Sequence, residues 1–280
     1  MSAPTPGTPI PLGRLDEPET IDDVLRNIDR VIEWAIKAES HIGYFAVLYK
    51  RTTLAIRDAI KADVFDDGPR MGALDVAFAR RYFNALHAYL CPDTSDDPTL
   101  PWEVAFVGDP DGQAIILQHL MAGLNAHITF DLGLAVFAVA ANSMDSLQDD
   151  YYRVNGVLDS QVPGVLKVIE QLSPELRWTR WLIPDQVRVF DRTLTNLRRG
   201  AWDFAFYLAT HRQNTREKTV HQEAWTAALG SWYLQPDERW TPFPRIVRAI
   251  AKHESHDVAG NLRALEEVSN TPHPPGKAHR

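Results

Sequence analysis

The sequence contains a single cysteine, Cys91, in 280 residues. One thiol excludes an intrachain disulfide and any zinc ribbon built on cysteine pairs, and it fits the reducing interior of the cytoplasm. Basic residues are also in deficit, with 29 Lys and Arg against 37 Asp and Glu, and they form no block along the chain. We therefore expect a cytoplasmic protein that does not bind nucleic acid.

Long hydrophobic runs are missing as well. The longest uninterrupted apolar segment, Leu132–Ala141, covers about half of the ~20 residues that a membrane span requires. The proline-rich N-terminal stretch lacks the hydrophobic segment of a signal peptide. The sequence therefore predicts no membrane span.

Strand signals are nearly absent, whereas apolar residues at helical spacing cover most of the chain. This pattern predicts one all-α domain over residues 19–270, a bundle of about eight to ten helices around a long buried central helix. Residues 1–18 and 271–280 are rich in proline and glycine and are predicted to be disordered. The predicted helices are Thr20–Lys37, Glu39–Ala62, Met71–Leu90, Gly112–Asn142, Ser146–Leu172 with a break at Pro163-Gly164, Pro184–His211, Thr215–Tyr233, Pro242–His253 and Val258–Val268.

The sequence also lacks the signatures of several large enzyme classes. It has no P-loop, no G-x-G-x-x-G after a strand, no H-E-x-x-H zinc motif and no G-x-S-x-G nucleophile elbow. Di-iron bundles carry E-x-x-H on two helices, and that motif is missing too. A candidate site must therefore be sought in polar residues that interrupt apolar helices.

The clearest interruption is NAHITFD, residues 125–131, inside the apolar central segment. His127 and Asp131 are four residues apart on a stripe of leucine and alanine, which places their Cβ atoms about 5–6 Å apart. The pair can ligate one metal ion, Asp131 can orient the imidazole, or both can simply link neighbouring helices. Asn125 lies about 200° around the helix from His127, so we expect it to make a separate contact.

A second polar cluster follows at the start of the next predicted helix. Acidic residues are expected there because carboxylates favour the positive end of a helix. This explanation does not cover Asn155, which interrupts an apolar stripe. Arg153 can clamp an anionic group or pair with Asp150, and pairing is the simpler role.

Two further stretches carry candidate residues. Asn84 and His87 share one helical face, and His87 is the best candidate for a second imidazole near His127. Arg199 can reach an anionic ligand, although an exposed arginine needs no special explanation. Trp202 offers a ring wall and an indole N–H donor.

These stretches together resemble an uncharacterised family of all-helical bacterial proteins, common in actinobacteria and known only as a domain of unknown function. The resemblance implies the fold and the location of a site, and no activity. Where the family often has a second histidine just before the aspartate, this chain has Phe130, which weakens any mechanism that needs both imidazoles. The residues that carry the resemblance are Arg81–Leu86, Met121–Ile128, Asp131-Leu132, Arg153–Asn155 and Arg199–Trp202.

A looser analogy is with the all-helical zinc-dependent phospholipases C and single-strand nucleases, which hold metal with an H-x-x-x-D pair on a core helix. Those enzymes use several further histidines and the amine of a processed N-terminus. The remaining histidines of this chain fall mostly in polar or terminal contexts. The sequence therefore argues against a trinuclear zinc site.

We expect a small-molecule enzyme with a buried site between helices, and we favour a metal-assisted hydrolase. His127, Asp131 and His87 are the predicted catalytic residues, and His127 with Asp131 would hold a divalent Zn, Fe or Mn ion. A metal-free cyclase or isomerase and a non-catalytic ligand-binding module remain open alternatives. The predicted substrate-binding residues are Asn84, Asn125, Asp150, Arg153, Asn155, Arg199 and Trp202.

Overall fold

The computed structural model describes residues 11–92, 97–176, 186–237 and 243–272, and the regular elements within these ranges are all helical. The predicted all-α fold is confirmed. A π-helix spans Asn125–Asp131, and a short 3₁₀ turn spans Arg212–Asn214. The helices are α1 Ile21–Ala38, α2 Ile42–Lys61, α3 Gly68–Leu90, α4 Leu100–Val107, α5 Ile116–Leu124, α6 Leu132–Ala140, α7 Met144–Asp159, α8 Val162–Leu172, α9 Gln186–Thr210, α10 Thr215–Leu234, α11 Phe243–Ala251 and α12 Val258–Ser269.

Local sequence signals account for where several helices begin. Thr20 caps α1, because its hydroxyl accepts from the backbone N–H of Asp23 while the Asp23 carboxylate accepts from the Thr20 backbone. Pro163 was predicted to interrupt a helix, but it lies in the first turn of α8, where a missing N–H costs no hydrogen bond. The break between α7 and α8 falls instead at Ser160 and Gln161.

The central helix, Ile116–Ala140, runs unbroken through α5, the π-helix and α6. It is long and apolar enough to cross a membrane, by length and composition only, and 78% of its most apolar window is buried inside the molecule. It packs against α2, α3, α9 and α10. The structure thus places the segment that carries NAHITFD at the centre of the bundle.

The two glycines of the central helix mark close approaches between helices. A Cβ on Gly123 would lie 2.8 Å from the Phe45 side chain on α2. A Cβ on Gly133 would lie 2.5 Å from the Phe204 ring on α9. Neither distance is possible for real carbon atoms, so glycine at these positions allows α2 and α9 to pack directly on the helix.

Residues 11–18 lie against the bundle, although the sequence predicted a disordered leader through residue 18. Asn27 donates to the backbone oxygen of Asp16 at 2.7 Å, and Arg80 donates to that of Pro18 at 2.7 Å. Leu12 and Leu15 pack against the core. Residues 1–10 of the predicted leader and 273–280 of the predicted tail lie outside the described residues.

Candidate active site

An apolar cavity of about 120 Å³ lies beside the central helix, between α2, α3, α7, α8 and α9. It approaches the ~150 Å³ of an apolar cavity that binds benzene. Leu48, Val154 and Leu158 are only half-buried, so this side of the cavity lies nearest to solvent. The cavity is lined by Phe45, Leu48, Tyr49, Thr52, Ile56, Met71, Leu74, Asp75, Phe78, Leu124, His127, Ile128, Leu132, Tyr151, Val154, Leu158, Gln161, Val162, Val165, Leu194 and Arg198.

The imidazole of His127 forms part of the cavity wall and is 2% exposed. It stacks on Phe78 with ring centroids 3.5 Å apart and 7° between the planes, and Tyr49 meets it edge-on at 4.7 Å. Nδ1 lies 3.4 Å from Oδ2 of Asp131, whereas Nε2 has no hydrogen-bond partner among the described residues. Nε2 is therefore the ring nitrogen that the described residues leave unsatisfied.

Asp131 is buried and is held by donors from two other helices. Arg81 on α3 donates to Oδ1 at 2.9 Å, and the indole of Trp102 on α4 donates to Oδ2 at 2.7 Å. The Arg81 cation stabilises the ionised carboxylate. A carboxylate beside Nδ1 favours the tautomer with hydrogen on Nδ1, which leaves a lone pair on Nε2.

Burial lowers the pKa of His127, and the neighbouring Arg81 cation lowers it further. The carboxylate of Asp131 acts in the opposite direction but does not offset burial. The imidazole is therefore neutral at pH 7. A neutral imidazole with a free Nε2 is the state that accepts a proton.

The π-helix supplies both members of this pair. Leu132 N–H donates to the backbone oxygen of His127, five residues back, as π-geometry requires. Helical turns of this kind are rare and are found frequently at functional sites. The predicted contact between His127 and Asp131 is present within this segment.

Asp75 is a second titratable group on the cavity wall, and the sequence analysis missed it. Burial raises its pKa to about 7, and Oδ2 has no hydrogen-bond partner among the described residues. Burial also raises the pKa of Tyr49, and the charge of Asp75 adds to the effect. A carboxylate inside the otherwise apolar stretch Met71–Ala79 is the same signal that identified His127, so the sequence could also have identified Asp75.

Arg198, rather than the predicted Arg199, reaches the cavity. Arg199 is exposed, whereas Arg198 is buried and forms part of the wall. The predicted residue Asn155 accepts from Nε of Arg198. Trp202 packs on Tyr151 at 4.8 Å between ring centroids and is not a lining residue, so its predicted role as a ring wall is not supported.

Three predicted substrate-binding residues have structural partners instead. Asn125 donates to the backbone oxygen of Thr226 on α10 at 2.8 Å. Asp150 accepts from the backbone N–H groups of Asp66 and Asp67, each at 2.8 Å, and from Arg153. The Asp150 contacts fix the loop that precedes α3, and none of these three residues is among those that line the cavity.

His87 and Asn84 lie in a different place from His127. They line an outer cleft of about 410 Å³ whose wall also includes Arg81 and Asp131. His87 follows Phe78 by nine residues on α3, which at about 100° per residue turns it roughly to the opposite side of the helix. The prediction of a second imidazole beside His127 is therefore not supported.

The donors around His127 do not fit the predicted metal site. Both oxygens of Asp131 already accept hydrogen bonds, one of them from the cationic Arg81, which would repel a metal ion. Among the described residues, no three His, Cys, Asp or Glu side chains are grouped so that they could hold a metal. A two-ligand site whose carboxylate is neutralised by arginine is a poor match to zinc or iron chemistry.

One protein-family model, described as "Family of unknown function (DUF5995)", matches residues 21–236 of this chain. Searches of the curated proteins and of the solved structures find no match to it. The family match covers the helices that build the cavity, and it assigns no chemistry to them. It agrees with the resemblance to an uncharacterised family, while nothing supports the analogy with phospholipases C.

Proposed function

The chain belongs to DUF5995, a family of unknown function, and we propose from its cavity that it is a metal-free acid–base enzyme. In this proposal it is a cytoplasmic isomerase that moves a proton between two positions of a small, mostly apolar molecule. The observation that carries the proposal is the unpaired Nε2 of a buried imidazole on a cavity wall. A partnerless polar atom costs free energy in a structure that has no use for it.

His127 is the base in this proposal. Its pKa is lowered by burial, so the imidazole is neutral, and Asp131 holds the hydrogen on Nδ1. Arg81 and Trp102 fix the carboxylate, so Asp131 acts as a positioning residue that orients the ring. When the imidazole gains a proton, the nearby carboxylate stabilises the imidazolium.

Asp75 and Tyr49 are the donors that complete the site. With a pKa of about 7, the carboxyl of Asp75 is substantially protonated at neutral pH and can donate a hydrogen bond. The raised pKa of Tyr49 keeps its hydroxyl protonated as well. Neutral donors on an apolar wall stabilise negative charge that develops on a substrate oxygen.

The step is a shift of one proton. Nε2 of His127 removes a proton from a carbon beside a carbonyl group, and the electron pair of the broken C–H bond moves into the enolate. Asp75 and Tyr49 donate hydrogen bonds to the enolate oxygen. In a substrate with a C=C double bond next to the deprotonated carbon, the enolate is a dienolate. The imidazolium returns the proton to the far carbon of the dienolate as the C=C bond shifts, so the product is an isomer and no other reactant is consumed.

A hydrolase fits this cavity less well. Hydrolysis without a metal needs a nucleophilic side chain or a positioned water, and the described lining residues include no serine or cysteine. The hydroxyl of Thr52 donates to the backbone oxygen of Tyr49 at 2.9 Å. Proton transfer within an apolar molecule requires only the groups that face the cavity.

The test follows hydrogen exchange in D₂O by proton NMR, with single-ring ketones such as acetophenone and 2-cyclohexen-1-one as probes. We expect the protein to catalyse loss of the C–H signals, and His127→Gln to slow it by about 10²–10⁴-fold, the usual contribution of a general base. His87→Gln is the matched control, because this histidine lines the outer cleft, and it should exchange at the normal rate.

Two results would contradict the proposal. Equal exchange rates in the protein and in a folded His127→Gln variant would show that the imidazole is not the base. Binding of the probes without any exchange above the rate in buffer would favour a non-catalytic ligand-binding module.

A further inference from the structure

Arg198 places a positive charge on the apolar wall of the cavity. Arg198 lies on α9, and its side chain is only 4% exposed although the guanidinium carries a full charge. Nε donates to the side chain of Asn155 on α7. The hydroxyl of Tyr151 donates to the Arg198 backbone oxygen, which fixes this turn of α9 against α7.

The two Nη groups of the guanidinium are not fully used in hydrogen bonds. Nη2 lies 3.4 Å from Asp159, well beyond the roughly 2.7–2.9 Å of a charge-assisted hydrogen bond. Nη1 has no hydrogen-bond partner in the described part of the chain. A buried arginine normally forms a closer, bidentate pair with a carboxylate, because an uncompensated charge is costly in such a place.

The carboxylate that faces Arg198 compensates this charge poorly. Asp159 is 41% exposed, and burial raises its pKa even though the guanidinium acts to lower it. Burial lowers the pKa of Arg198 in turn, with Asp159, Tyr151 and Asp191 opposing the change. The 3.4 Å separation and the exposure of Asp159 leave the buried guanidinium incompletely paired, so a further anion would stabilise it.

Arg198 and Asp75 both line the cavity. The two residues also come from different helices, α9 and α3. A molecule that contacts both must extend along the cavity.

We propose that the ligand of this cavity is a small carboxylic acid, about the size of one substituted ring. Its carboxylate pairs with Arg198, and its apolar body lies against Phe78 and His127. If the proposed isomerase activity holds, the substrate of the reaction is a small oxo acid, and this part of the inference rests on that activity. For binding alone, it depends only on Arg198 and the apolar wall.

A carboxylate fits better than a phosphate. A phosphate group carries up to two negative charges and three acceptor oxygens, whereas Arg198 is the one cationic side chain among the lining residues. A single planar carboxylate can use Nη1 and Nη2 together in a bidentate pair. The remaining wall is mainly apolar and matches a hydrocarbon body.

The test compares benzoate with nitrobenzene, which has nearly the same planar shape and no net charge. Binding is measured by calorimetry or by NMR titration to the full-length protein. We expect benzoate to bind more tightly than nitrobenzene. Arg198→Met should weaken the binding of benzoate by about tenfold or more, and it should change the affinity for nitrobenzene by less than about twofold. Arg199→Met, which removes the exposed neighbouring charge, should leave both affinities unchanged.

A second variant keeps the inference testable if Arg198→Met fails to fold. Asp159→Asn removes the carboxylate that competes for the guanidinium, on a side chain that is partly exposed. We expect it to tighten benzoate binding several-fold without affecting nitrobenzene. Unchanged or weaker benzoate binding in Asp159→Asn would overturn the inference.

The outcomes separate this inference from the proposed function. Equal binding of benzoate and nitrobenzene, or benzoate binding that does not depend on Arg198, overturns the carboxylate assignment and leaves the exchange chemistry of His127 standing. In His127→Gln we expect exchange to be lost while benzoate still binds. Failure of benzoate to bind at millimolar concentration would also overturn the assignment.

Discussion

His127 and Asp75 show how one cavity holds two titratable groups in their neutral forms. Burial disfavours the charged form of either group, so it lowers the pKa of the imidazole and raises that of the carboxyl. Neither group is fully satisfied, since Nε2 of His127 and Oδ2 of Asp75 both have no hydrogen-bond partner among the described residues. A neutral base and a neutral acid on one wall are the pair that a proton-transfer enzyme needs.

The pH dependence of folding tests the state of Asp75. Its folded-state pKa of about 7 is above the ordinary value of 3.8, so between these two pH values the folded protein binds a proton that the unfolded chain has lost. Stability should fall as pH rises from about 4 to about 7, by up to about 1.4 kcal/mol per pH unit. In Asp75→Asn this slope should be missing, and the variant should be more stable than the native chain at pH 8.

Thermal or urea unfolding across this pH range measures the effect. Asp145→Asn, at the exposed start of α7, is the control and should unfold with the same pH dependence as the native chain. If the free energy of unfolding depends on pH in the same way in Asp75→Asn and in the native chain, Asp75 ionises normally in the folded protein and the proposal is contradicted.

The central helix positions the site through two features, its π-segment and its glycines. The π-helix from Asn125 to Asp131 carries His127 and Asp131, and the glycines at 123 and 133 flank it. Close packing at Gly123 brings α2, with Phe45 and Tyr49, against the imidazole. Close packing at Gly133 brings in α9, which carries Arg198.

Substitution of these glycines tests whether close packing matters. We expect Gly133→Ala to destabilise the protein by about 1–3 kcal/mol, because the added Cβ would meet the Phe204 ring at 2.5 Å and the Ala201 backbone oxygen at 2.9 Å. Gly200→Ala is the control, because Gly200 lies inside α9 and a Cβ there would have no atom within 4 Å. Alanine at this position should increase the free energy of unfolding, by about 1 kcal/mol at most.

Chemical denaturation measures both variants. If Gly133→Ala is as stable as the native chain, α9 has room to move away, and the cavity wall at Arg198 is not held by this contact.

The bundle as a whole follows closely from its hydrophobic periodicity. Predicted helices such as Thr20–Lys37 and Thr215–Tyr233 match the observed Ile21–Ala38 and Thr215–Leu234 within two residues. The positions where these helices begin and end follow mainly from caps and helix-breaking residues, because those residues act locally. The contact between His127 and Asp131 was also predictable, since four residues separate them on one helix.

Contacts between distant segments were not predictable. Arg81 and Trp102, which hold Asp131, are 50 and 29 residues away from it in the chain. Which arginine of α9 enters the cavity, 198 or 199, depends on how that helix is rotated against α7. The face of α3 that carries His87 was likewise fixed by packing, and so was the position of residues 11–18.

We propose that His127 is a neutral imidazole whose unpaired Nε2 contacts a ligand bound in the cavity. Nitrogen NMR of the labelled histidine side chains measures this state directly. We expect His127 at pH 7 to carry its hydrogen on Nδ1, to titrate only below its ordinary value of 6.5, and to shift when benzoate is added. An imidazolium at pH 7, or a hydrogen on Nε2 together with no response to any cavity ligand, would contradict it.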